Sequence, residues 1–140
     1  GILGTKSGGP IASSWAVMRH LGDEGYQRLT DSARSSALAI ARHLEGHPVL
    51  RLRALPDSTL LCIGLRDDLR HDDIAPDVYA VADGLAARGW YVDRQAPPRS
   101  IHLTVNAVHA EVLHEFLRDL DEVSATVAGP GSEGGYAVIE

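Results

Sequence analysis

Ser100-Ile-His-Leu-Thr-Val-Asn106 alternates residue by residue between apolar and polar side chains. Side chains on a strand point to opposite faces with a period of two, so Ile101, Leu103 and Val105 share one face and His102, Thr104 and Asn106 the other. The stretch reads as a strand with one covered face and one wet face, and a covered face calls for a layer of helices against it. Two neighbouring stretches carry the same period. Leu50, Leu52 and Ala54 alternate with Arg51 and Arg53; after the turn cluster Pro56-Asp57-Ser58, residues 59–65 are apolar enough for a more central strand, so 48–65 reads as a hairpin. Residues 90–95 read as a further strand, an ordinary buried one at Trp90-Tyr91, that stops at the Pro97-Pro98 break.

The helices fall around these strands. Ile11, Trp15, Met18 and Leu21 recur at helical spacing after Pro10, which suits a first turn. Gly22 breaks that helix and Asp23 can cap the next, in which Tyr26, Leu29, Ala33, Ala37, Ile40 and Leu44 form one apolar stripe, with Gly46 placed to end it. A third helix uses Ile74, Val78, Val81, Ala82 and Leu85, with Asp72 or Asp73 as its cap and Pro76 in its first turn, and stops at Gly89. A fourth, from about residue 110 to 127, carries Leu113, Phe116, Leu117, Leu120 and Val123; the glycine-rich tail after it reads as loose. The order α-α-β-β-α-β-β-α gives a single α/β (α+β) domain: a small, mostly antiparallel sheet with helices on one face.

Composition narrows the partners. Over 140 residues the chain is 44% hydrophobic, enough for one core, and its net charge of −6 argues against a nucleic-acid or anionic-membrane surface as the main partner. No run of apolar residues reaches the length of a membrane span. The single cysteine, Cys62, forms no internal disulfide, fits a reducing and hence cytoplasmic compartment, and reads as a small buried hydrophobe.

The chain opens on Gly1-Ile-Leu-Gly-Thr-Lys-Ser-Gly-Gly-Pro10, a glycine-rich loop feeding a helix, the kind of junction whose free amides and dipole bind phosphates and carboxylates. It is not a P-loop, because Thr5 stands where the second glycine belongs. Lys6 is the only lysine, so any imine chemistry must use it or a lysine from elsewhere. The seven histidines show neither H-E-x-x-H nor a zinc spacing: His109 and His114 are not on one helix face, and His20, His43 and His47 fall near helix ends. No G-x-S-x-G elbow is present, and Ser13 and Ser14 read as packing residues. The aspartates at 67, 68, 72 and 73 read as a solvated loop. No complete active site, and no metal site, follows from the residues.

The arrangement of several stretches resembles a known family. Gly4-Thr-Lys-Ser-Gly-Gly-Pro-Ile-Ala-Ser-Ser-Trp-Ala16, then His20-Leu-Gly-Asp-Glu-Gly-Tyr26, is similar to the segment after the cofactor lysine of sphingosine-1-phosphate lyases, which belong with the group II pyridoxal-phosphate decarboxylases. Gly89-Trp90, Pro97-Pro98-Arg99-Ser100-Ile101-His102 and His109 match that family's G-W…P-P-S-I-H…H pattern, and Glu133-Gly-Gly-Tyr136 its glycine-tyrosine ending.

The resemblance implies the C-terminal small domain of a fold-type I pyridoxal-phosphate enzyme, with residues 1–140 lacking the large domain and its aldimine lysine. It implies no catalytic residue in this chain. Gly4, Thr5 and Lys6 would line the cofactor-phosphate or substrate region of a partner subunit, with Thr and Lys in place of the family's usual Ser and Arg. It further implies a homodimeric parent, a small-molecule substrate, and retro-aldol cleavage of a phosphorylated long-chain base. The competing expectations are part of an amino-acid decarboxylase, or a free-standing ligand- or protein-binding module that uses the bare sheet face.

Overall fold

The computed structural model describes residues 7–69, 77–126 and 128–133. Its first helix, α1, spans Gly8–Leu44, and the Ser7 hydroxyl caps it by accepting the Gly9 N–H at 3.3 Å. The two helices expected on either side of Gly22 are the two halves of α1: Gly22 takes φ 58° and ψ −176°, a conformation that side-chain-bearing residues avoid, and the helix kinks there. In the second half Ala33, Ala37, Ile40 and Leu44 enter the core. In the first half the same stripe stays bare, with Ile11 68%, Trp15 63% and Met18 52% exposed. Ser13 and Ser14 are exposed as well, so they do not pack; the Ser14 hydroxyl donates to the Pro10 carbonyl.

Four strands form one antiparallel sheet in the order β1-β2-β4-β3: β1 Leu50–Leu52, β2 Leu60–Leu65, β3 Asp93–Gln95 and β4 Ser100–Thr104. β1 and β2 make the expected hairpin, with Leu52 opposite Ile63. The central pair is β2 with β4, with Leu61 opposite Leu103 and Ile63 opposite Ile101. Leu61, Ile63 and Ile101 are buried and pack into one core with Ala37, Ile40 and Leu44 of α1, Val81 and Leu85 of α2 (Val78–Ala87), and Phe116, Leu120 and Val123 of α3 (Leu113–Thr126). His102 is half-buried and Thr104 exposed on the opposite face, as the alternation requires.

Several boundaries move. α2 begins at Val78, because the Asp77 carboxylate accepts the Tyr79 N–H at 3.1 Å; the cap expected at Asp72 or Asp73, and Ile74 and Pro76, lie outside the described residues. α2 does end before Gly89, at φ 91°. The strand expected from Trp90 pairs only from Asp93, leaving Trp90 partly buried and Tyr91 81% exposed. A 3-10 turn, Ala107–Ala110, delays α3 to Leu113. Cys62 is half-buried, not buried, because it lies on the outer face opposite His102.

The tail is not loose as far as it is described. The Gly131 N–H donates to Asp77 Oδ2 at 3.1 Å, and the Ser132 N–H and hydroxyl donate to Asp83 Oδ2 at 2.7 and 2.9 Å. Arg99 joins Asp77 to Glu133, both at 2.7 Å, while its guanidinium sits 3.9 Å above the Tyr79 ring. Arg94 pairs with Asp83 beside it. Burial alone would raise the Asp77 carboxyl; Arg99 and the Tyr79 and Gly131 amides outweigh it and hold the group below the usual carboxylate range. Residues 129–133 therefore form a strap across α2. A Cβ on Gly131 would lie 2.1 Å from the backbone of Tyr79 and Ala80, whereas one on Gly46 would meet open space. Gly131→Ala is expected to lower stability by about 1–3 kcal/mol through this overlap, and Gly46→Ala to be near neutral; urea denaturation of the two variants checks the contrast.

Candidate functional site

Trp90 builds an apolar cavity at the edge of the sheet. The positive φ of Gly89 turns the chain after α2, and the Trp90 N–H donates back to the Leu85 carbonyl at 3.0 Å. Its indole Nε1–H donates to Asp119 Oδ2 at 2.8 Å, and its ring meets that of Phe116 edge-on, with centroids 5.3 Å apart. Arg118 and Arg88 reach the other oxygen of Asp119 at 3.0 and 3.2 Å. The indole N–H first, and then these arginines, hold the Asp119 carboxyl below its ordinary range.

Anchored to α3 in this way, residues 90–92 stand away from β4, which β3 rejoins only where Asp93 faces His102. The space left between them is a cavity of about 440 Å³. Its walls are Trp90, Val92, Leu103, Val105, Leu113 and Phe116, and Asp93, His102, Thr104 and His109 stand at its polar side. His109 Nδ1 accepts the Asn106 N–H at 2.9 Å, so the neutral ring carries its proton on Nε2. His102 Nδ1 lies 3.9 Å from Asp93 Oδ2, too far for a hydrogen bond. Three residues that carry the family resemblance, Trp90, His102 and His109, thus converge on one cavity although nineteen positions separate the first from the last (90 to 109). Gly4, Thr5 and Lys6, expected near a cofactor phosphate, lie outside the described residues.

A second cluster ties α1 to α3. His47 Nδ1 accepts the N–H groups of Val49 and Leu50 at 3.1 and 2.9 Å, while Nε2 faces Asp121 Oδ1 and Ser124 Oγ, both at 3.3 Å. His43 Nε2 reaches the same Asp121 oxygen at 2.7 Å. Serine and carboxylate sit on one ring nitrogen while backbone amides occupy the other, so this is not a nucleophile–base–orienter chain. It fixes the turn into β1. Sequence reasoning placed His43 and His47 near a helix end; the partner on α3 carries no local signal.

Among the described residues there is no lysine, and no group of three or more His, Cys, Asp or Glu side chains that could hold a metal ion. No helix among them is long and apolar enough to cross a membrane. The Trp90 cavity can bind an apolar body but supplies no covalent chemistry.

No protein-family model matches the chain. Sphingosine-1-phosphate lyase of Oryza sativa subsp. japonica is 34% identical to it over 140 residues, covering 99% of this chain and 24% of that protein. The solved structure of Burkholderia pseudomallei K96243 sphingosine-1-phosphate lyase superposes with a TM-score of 0.77 at 28% identity, covering 89% of this chain and 27% of that one. The chain is homologous to a segment of the sphingosine-1-phosphate lyases. A decarboxylase branch is also related: the probable L-aspartate decarboxylase of Thermococcus gammatolerans is 30% identical over 87% of this chain and 29% of its own length. The lyase-like segment therefore spans about a quarter of the rice relative, 24% of its length. The four-stranded sheet, its helical layer and the Trp90 cavity all lie in the region these proteins share.

Burial pushes His47 below its ordinary value of 6.5, against the opposing pull of Asp121, and the neighbouring His43 adds to the lowering. Protonation would also take away the acceptor of two backbone amides. The sign follows: the unfolded chain binds this proton more readily, so the contribution of His47 is complete above 6.5 and is lost as pH falls through the lowered folded value. Urea midpoints are expected to decline from pH 7.5 to 5.5, a window above the carboxylate titrations, and His47→Asn, which keeps an acceptor near Nδ1, is expected to flatten that decline.

Proposed function

We propose that this chain is the C-terminal small-domain portion of a pyridoxal-phosphate-dependent carbon–carbon lyase that cleaves a phosphorylated long-chain base by a retro-aldol reaction in the cytoplasm. The observation that carries the reading is similarity to sphingosine-1-phosphate lyases along 99% of the chain that spans only 24% of the rice enzyme. The bare stripe of α1 supports it, since Ile11, Trp15 and Met18 are apolar residues waiting for cover. In this reading they lie against the large domain of the parent, and a second subunit completes the homodimer.

The described residues do not fit the cofactor. They hold no lysine to form an imine, and the Trp90 cavity is apolar with a carboxylate, Asp93, in its lining, which repels a phosphate. The cofactor site then belongs to the rest of the parent enzyme. Gly4, Thr5 and Lys6 are the residues of this chain proposed to approach its phosphate, or the substrate, in the partner subunit; Lys6 offers a single ammonium where an arginine would offer a planar fork. The role of the small domain is to complete and close the site, with no catalytic residue of its own.

The decarboxylase relative supports a second reading, in which the parent removes carbon dioxide from an amino acid. The isolated chain, supplied with pyridoxal phosphate and a phosphorylated long-chain base, is expected to form no aldehyde, and turnover would overturn the proposal. Aldehyde release by the full-length parent, with no carbon dioxide from amino acids, separates the lyase from the decarboxylase.

A further inference from the structure

We propose that the Trp90 cavity is a binding site for a small amphiphilic amine, an aromatic or branched-alkyl body carrying a protonated amino group. Shape and charge define this site, whatever reaction the parent protein performs. At about 440 Å³ the cavity has the size of small-ligand sites. Its walls are set before any ligand arrives: the Trp90 ring is fixed by the bond to Asp119 and by the edge contact with Phe116, and Val105 belongs to the buried core. A ligand that enters does not have to order them.

The head group is selected by charge. Among the described residues Asp93 is the only acidic one lining the cavity, and no lysine or arginine lines it. The Asp93 carboxylate is 40% exposed and faces His102 at 3.9 Å, so it can take an ammonium without breaking a hydrogen bond to that ring. His109 gives its Nδ1 to the Asn106 amide, which leaves an Nε2–H donor. That donor alone could attract an anion, but any anion in the cavity also meets Asp93. An apolar body with a cationic head satisfies both the walls and the carboxylate; an apolar acid satisfies only the walls.

The test uses the full 140-residue chain at pH 8, with phenethylamine and 3-phenylpropionate as matched probes. Titration is followed by the NMR signals of the Trp90 indole N–H and of residues 93, 102 and 109. The amine is expected to give saturable shifts, and the acid to bind about fivefold more weakly, the size of one partly exposed ion pair. Asp93→Asn, a substitution at a half-exposed position, is expected to weaken the amine by about the same factor and leave the acid unweakened. Leu113→Trp, which fills the cavity, is expected to abolish both. Equal binding of the two probes, an Asp93→Asn variant that binds the amine normally, or no saturable shift up to the solubility of the amine would each overturn the proposal. If Leu113→Trp fails to fold, the probe pair and Asp93→Asn still decide it.

Discussion

The pairing of β2 with β4 is the constraint on which the other elements depend. Leu61 opposite Leu103 and Ile63 opposite Ile101 put the apolar side chains of two central strands on the same face. A slip of one residue would turn Cys62 and His102 toward the helices and Leu61 and Ile63 toward water, so the register and the helical layer specify each other. β1 and β3 are then edge additions of three residues each, short enough to leave little exposed strand edge. All three helices reach the core through this one face.

The polar contacts do different work from the core. Asp77 ends one element and holds another: it caps α2, receives the Gly131 amide and pairs with Arg99. Asp119 does the same for Trp90, Arg88 and Arg118. His47 serves β1 and α3 together. Each is a single side chain on which elements distant in sequence meet, and each lies at the border between the buried core and the connecting segments. Because Asp119 holds Trp90 against α3, the strand on the β3 side starts late, and the cavity is the space that late start leaves.

Period-two alternation in 100–106 and the helical stripes of 26–44 and 113–123 were enough to read the sheet, its covered face and three helical segments, because both patterns are local. The strap over α2 was not legible, since Gly131 and Ser132 look like any glycine-serine tail until Asp77 and Asp83 are brought beside them. The short strand at 93–95 was overextended for a similar reason: Trp90 is hydrophobic enough for a strand, but its N–H bond to Asp119 pulls it toward α3. The site followed the same division. The stretches carrying Trp90, His102 and His109 were marked by resemblance and Phe116 by the apolar stripe of its helix, whereas Asp93, which completes the cavity, had no functional pattern of its own.

On the proposed reading, the chemistry associated with this fold resides outside these residues, in a larger polypeptide to which the lyase-like segment belongs. Reading the coding DNA upstream of the codon for Gly1 tests it most directly. The account predicts a continuous frame of a few hundred codons, the scale set by a chain that covers 24% of its rice relative, with a His-Lys pair ahead of the glycine-rich loop. A start codon close to Gly1 would contradict it, leaving Lys6 as the only lysine and a binding module as the reading that survives.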